Sequence, residues 1–199
     1  MSSSENIRNA LQVLYRTYDN VQKLMDYTRI VAQEKTDYRL AAPKALRWKS
    51  DNEPHGWLIN DFILLFQNIT DADCESENGW KAAPVYAMEI YLGDKEDEEG
   101  LPCVFLSAFE YNDINSWSEG CSPANHWVFW WPLREEDNVD FIQQGDYWIG
   151  TPKNEKYSSR HWGLKKVTYT KIDLMEINSE NLKQMIFDRF DLLREMSAQ

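Results

Sequence analysis

The chain has 199 residues, 33 acidic against 21 basic, and a formal net charge of −12. That length suits one domain able to bury a core without disulfide staples, and 43% hydrophobic with 14% aromatic residues excludes wholesale disorder. No apolar run approaches the ~20 residues of a membrane span, and the opening MSSSENIRNALQ lacks the basic-then-apolar pattern of a secretory signal.

Ser2 and Glu5 have the spacing of a capping box. From there Ile7, Leu11, Leu14, Tyr18, Val21, Met25, Thr28 and Ala32 recur at alternating +4/+3 intervals, one stripe of a helix over about residues 5–35. Asp19-Asn20 could instead cap a second, shorter helix. The stripe is narrow enough for coiled-coil-like packing, on a helix of the same chain or on a second copy as a homodimer. The C-terminus offers a mate: Asn178 or Ser179 can cap a helix carrying Leu182, Ile186, Phe190, Leu193 and Met196.

Residues 39–56 read as an irregular connection with two prolines and a glycine. Beyond it, aromatic and β-branched runs alternate with turn-rich segments. Candidate strands are 58–68, 85–92, 103–111, 126–133, 146–151 and 164–175, with 134–144 able to form a short helix. Most connections are too short for crossover helices, so antiparallel pairing is favoured. The expected fold is α+β, a mostly antiparallel sheet of about five to six strands with N- and C-terminal helices packed on one face. One domain is expected over 1–199: a helical part and connection over 1–56, the sheet over 57–177 and a C-terminal helix over 178–199.

The acidity is local. Residues 71–79 carry four acids, 94–99 five acids and one lysine, and 134–140 four acids and one arginine. In a simple up-and-down meander the second and third segments would share one end of the sheet. Basic residues gather at 39–49 and 153–171, so the molecule should be dipolar. Charged loops keep a protein soluble; they can also steer association with a basic protein surface. Overall acidity argues against nucleic-acid binding, which needs a basic footprint.

Tests for readable chemistry come out negative. Asp71-x-Asp73-x-Glu75-x-Glu77 has the oxygen-ligand spacing of the start of a calcium loop, but Ser76 and Ala82 stand where an EF-hand needs Gly and Glu. Zinc would have to draw on Cys103, Cys121, His126 and His161, which lack motif spacing. Cys121 with His126 or His161 is the one suggestive nucleophile–base pair, and common nucleotide, hydrolase and metalloprotease motifs are absent. No catalytic residue, metal or cofactor is assigned. Asp61, Glu89 and Glu110 sit inside apolar strands, where a carboxylate acts as a general acid or simply pairs with Arg or Lys.

Nine tryptophans are the compositional oddity. Three lie in HWVFWWPL, which strand alternation would make apolar on both faces and therefore central. Either they build a core, or some of Trp117, Trp130, Trp148 and Trp162 anchor a partner.

The reading is a non-catalytic cytoplasmic interaction factor of inhibitor, immunity or adaptor type. Its contacts would be Asp94, Glu96, Asp97, Glu98, Glu99, Glu135, Glu136 and Asp137 with those four tryptophans, against a basic protein surface. The alternative is a small-molecule-binding domain or enzyme with an aromatic-lined pocket on the sheet.

Overall fold

The computed structural model describes residues 2–52, 54–93, 100–118 and 120–197. The acidic run 94–99 therefore lies outside the described residues, and with it the expected contacts Asp94, Glu96, Asp97, Glu98 and Glu99.

Helix α1 (Ser3–Lys35) runs unbroken through Asp19-Asn20. It opens on the expected box: Glu5 N–H donates to Ser2 Oγ at 3.3 Å, and Ser2 N–H donates to Glu5 Oε2 at 2.7 Å. Then come β1 (Tyr38–Leu40), β2 (Asp61–Asn68), β3 (Val85–Tyr91) and β4 (Cys103–Tyr111). A short α2 (His126–Trp130) precedes β5 (Val139–Gln144) and β6 (Tyr147–Pro152). After α3 (Glu155–Arg160) and β7 (Leu164–Asp173), a π-helical turn, Lys183–Phe187, leads into α4 (Asp188–Ser197).

All seven strands form one sheet in the order β1-β2-β3-β4-β7-β6-β5, each pair antiparallel. On one face, Val21, Met25, Val31 and Ala32 of α1 pack with Leu182, Ile186, Phe187, Phe190 and Leu193 against Leu64, Phe66, Tyr86, Met88, Ile90 and Leu106. Both terminal helical segments thus cover the same face, as expected. The stripe of α1 is used only in part, because Ile7 and Leu11 remain exposed and burial begins at Val21. Tyr18 marks the junction: its hydroxyl donates to the Ile59 carbonyl at 3.0 Å and accepts from Ile59 N–H at 3.0 Å.

Three expectations need correction. HWVFWWPL is not a strand: it forms α2 and the 3-10 turn Trp131–Leu133, lying over the second face of the sheet. Ser122 and Asn125 bond each other as a helix-entry box, with Ser122 N–H donating to Asn125 Oδ1 at 2.9 Å, and Pro123 sits in the first turn. Segment 134–144 is not helical through its length, because Val139–Gln144 is β5. It turns into β6 through Gly145-Asp146, with Gly145 at φ +61°, the conformation a tight two-residue hairpin requires.

Nor is the sheet a simple meander, because β7 inserts between β4 and β6. Val139 pairs with Pro152 and Gly150 with Val167, so β5 starts toward the Phe109 end. Tyr91 and Cys103, which bracket the connection containing 94–99, lie at the other end beside Asp173.

Candidate binding site

The second face carries nearly all the indole mass. Trp80, Val128, Phe129 and Leu133 are buried over Ile63, Leu65, Val85, Ala87, Phe105 and Phe109, with Trp117, Trp127, Trp130, Trp148 and Trp162 half-buried around them. Alternation along β2 and β3 points Asp61 and Glu89 into this layer, where they are 4% and 1% exposed.

Each acid meets a basic side chain from the α2 segment. His126, Trp130 and Arg134 are spaced by four, so one helical side presents all three to the sheet. Arg134 Nη2 and Nη1 donate to the two Glu89 oxygens at 2.5 and 3.2 Å. The guanidinium also lies 4.4 Å from the Trp130 ring centre, 4.7 Å from Phe105 and 5.3 Å from Tyr91. Burial pushes the Glu89 carboxyl up and Arg134 opposes it. Beside this pair, His126 Nε2 lies 2.5 Å from Asp61 Oδ1. The contact is short but off-axis, and neither atom has a partner in hydrogen-bond geometry.

Above Asp61 and His126 opens a hollow of about 420 Å³, walled by Trp48, Trp127, Trp130 and Trp131 with Asn60 on its floor. Trp48 and Trp131 are 46% and 37% exposed. A β-carbon on Gly56 would lie 2.9 Å from the Trp48 ring, so the connection before β2 packs against that indole. Trp57 and Leu58, the next two residues, are 69% and 51% exposed. Among the described residues, no lysine or arginine lines the hollow.

The expected contacts are dispersed. Glu136 and Asp137 are exposed just before β5, and Glu135 is half-buried near the Tyr157 hydroxyl. Trp117 and Trp162 pack edge-to-face beside a separate hollow of about 530 Å³, and Trp117 Nε1 donates to the Trp162 carbonyl at 3.1 Å. Trp148 stacks on Tyr169. Of the four predicted anchors only Trp130 reaches the Asp61–His126 hollow. Trp48, Trp57 and Trp131, which sequence reasoning did not select, are the more exposed.

The remaining candidates are tied down. Glu110 pairs with Lys166 at 2.8 Å, Asp73 with Lys81 at 2.8 Å, and Asp71 with Arg194. The Cys121 thiol lies 3.8 Å from Asn125 Oδ1, and burial pushes its pKa up to about 12, which suppresses the thiolate. His161 is fully buried between Tyr157 and Trp127, with Nδ1 3.3 Å from the Val128 carbonyl, and burial lowers its pKa. Among the described residues no cluster of three or more His, Cys, Asp or Glu side chains could hold a metal, and no helix is long and apolar enough to cross a membrane.

Compared with protein-family models, curated proteins and solved structures, the chain matches none.

Proposed function

We propose that this chain is a non-catalytic, cytoplasmic docking factor of inhibitor, immunity or adaptor type, which binds a basic surface on another protein. The observation that carries this reading is the large apolar surface left in water: Trp48 and Trp131 wall one open hollow while exposed, and Trp57 and Leu58 are exposed in the connection before β2. Rigid indoles lose little entropy on binding and dominate the energetics of protein contacts. A net charge of −12 favours a basic partner and steers its approach, with Glu136 and Asp137 among the exposed acids. Three free thiols suit a reducing compartment.

The test is co-purification from the native host with the intact chain and with a Trp57→Ser/Trp131→Ser variant, both checked for the same unfolding midpoint. The reading predicts a salt-sensitive partner held by the first and lost from the second; identical recovery by both counts against it.

A second reading, a small-molecule site in the same hollow, draws support from Trp130 Nε1, a buried donor with no partner. Native mass spectrometry showing a metabolite carried through purification would favour it. The exposed first half of α1, with Ile7, Leu11, Val13 and Tyr15 in water, supports self-pairing as an addition to either reading. Sedimentation of the intact chain against one lacking residues 2–17 decides it, a monomer in both cases ruling it out.

A further inference from the structure

We propose that another hollow, between α1 and the connection ahead of β2, binds a small amphiphilic oxyanion: a carboxylate or phosphate head on an apolar body. The site stands apart from the docking reading, because it uses other residues on the other face of the sheet.

Alternation at the start of β2 separates it from the tryptophan-walled hollow. Asp61 points into the indole layer, while Phe62, the next residue, packs with the core under α1. Trp48 and Asn60 line the tryptophan-walled hollow, and their neighbours Arg47 and Ile59 line this one. Its volume is about 510 Å³. Val21 and Met25 of α1 close the bottom, and the half-buried Tyr18, Ile59 and Phe62 with the exposed Pro43 make apolar walls. Tyr18 is a fixed wall: its hydroxyl bonds both backbone groups of Ile59, and its ring meets Phe62 edge-to-face at 6.1 Å. An apolar hollow of this size with a few charged groups at its edge suits a small molecule.

The sign of the ligand follows from those charged groups. Arg29, Lys44 and Arg47 line the hollow, and among the described residues no carboxylate does. In a chain of net charge −12 this lining runs against the general balance. The tryptophan-walled hollow has Asp61 and the one beside Trp162 has Asp113 and Glu155, with no lysine or arginine lining either among the described residues. Arg29 already leans on Asp26, 2.6 Å away. Lys44 and Arg47 are exposed and make no ion pair among the described residues. Arg39, from the same basic stretch, is instead spent on the carbonyls of Ala32, Thr36 and Tyr38 at the end of α1. Cations gathered around one apolar hollow repel each other until an anion enters, and the Arg47 fork matches two oxygens of a carboxylate or phosphate. The head would rest at the wet rim and the body against Tyr18 and Phe62. Affinity then comes mainly from apolar contact and selectivity from the exposed charges.

The probe is anilinonaphthalene sulfonate, an apolar body bearing one oxyanion, titrated into the intact chain and followed by its fluorescence. Saturable binding of one probe per chain is expected. Decanoate and decyl phosphate should displace it, the tighter of the two naming the head, at concentrations where decanol does not. Lys44→Gln/Arg47→Gln, at two exposed positions, should weaken the probe and its anionic competitors at least fivefold with an unchanged unfolding midpoint. Trp131→Leu should leave them unaffected. Added salt should weaken binding to the parent chain more than to the double variant. Equal binding by the parent and the double variant, or displacement by decanol as readily as by decanoate, overturns the proposal. Loss of binding in Trp131→Leu with retention in the double variant moves the ligand to the tryptophan-walled hollow and overturns it too. Retention of a native partner is read independently, so the docking reading can stand or fall without this one.

Discussion

Removing Arg134 should destabilise the fold more than any exposed charge change, because it strands Glu89. That carboxylate is 1% exposed and takes both of its short bonds, 2.5 and 3.2 Å, from one guanidinium. Breaking a buried pair from one side leaves an uncompensated charge and costs about 3–5 kcal/mol. The three ring faces around Arg134 lose their cation as well, each contact being worth roughly 0.5–1 kcal/mol. For a chain of this size Arg134→Ala should lower Tm by on the order of 10 °C. Its pH dependence has a definite sign. Burial raises the carboxyl pKa of Glu89, and without Arg134 the rise grows, so the folded variant prefers the protonated acid. Stability is then greatest below the unfolded carboxylate pKa and falls as pH climbs through the folded value. Urea unfolding at pH 5 and pH 7 reads this directly, with the variant losing more at pH 7. The double variant Glu89→Leu/Arg134→Met removes both charges and should recover most of the loss. A single variant within 1 kcal/mol of the parent, or a double variant no better than the single, would refute the reasoning.

Gly150 sits opposite Phe141, where an added β-carbon would lie 2.6 Å from Phe141 Cε1 and 2.9 Å from Val139 Cγ1. Gly150→Ala should therefore cost about 1–3 kcal/mol in a denaturant titration. His161 is buried with a lowered pKa, so protonation favours the unfolded chain. Its share of stability is complete above the unfolded histidine pKa and declines as pH falls toward the folded value. A His161→Gln variant should flatten that decline between pH 7 and pH 5. Burial raises the pKa of all three thiols, Cys121 to about 12. Alkylation by iodoacetamide at pH 8 should be at least tenfold slower in the native chain than in urea.

What could be read in advance was whatever local periodicity encodes. The stripe from Val21 to Ala32, the capping box at Ser2 and Glu5, and the facing of Glu89 with Val85, Ala87 and Tyr91 all follow from spacing alone. HWVFWWPL misled because a short run apolar at every position has no period to separate strand from helix. The entry signals Ser122, Pro123 and Asn125 were there, and a helical reading would have aligned His126, Trp130 and Arg134. The partners of those residues lie 65 and 45 positions away, on β2 and β3. That separation is a tertiary fact, as is the insertion of β7.

The place of β7 bears on how the protein comes off a ribosome. A chain emerging N-terminus first can assemble β1 to β4 as soon as they clear the exit, but the strand that belongs beside β4 is made of residues 164–173. Until then β4 presents an unsatisfied edge with Val104, Leu106 and Ala108 still lacking their α4 cover. Closure joins the two halves of the sheet in one late event, and nascent chains stalled before residue 164 should be the form most prone to clump.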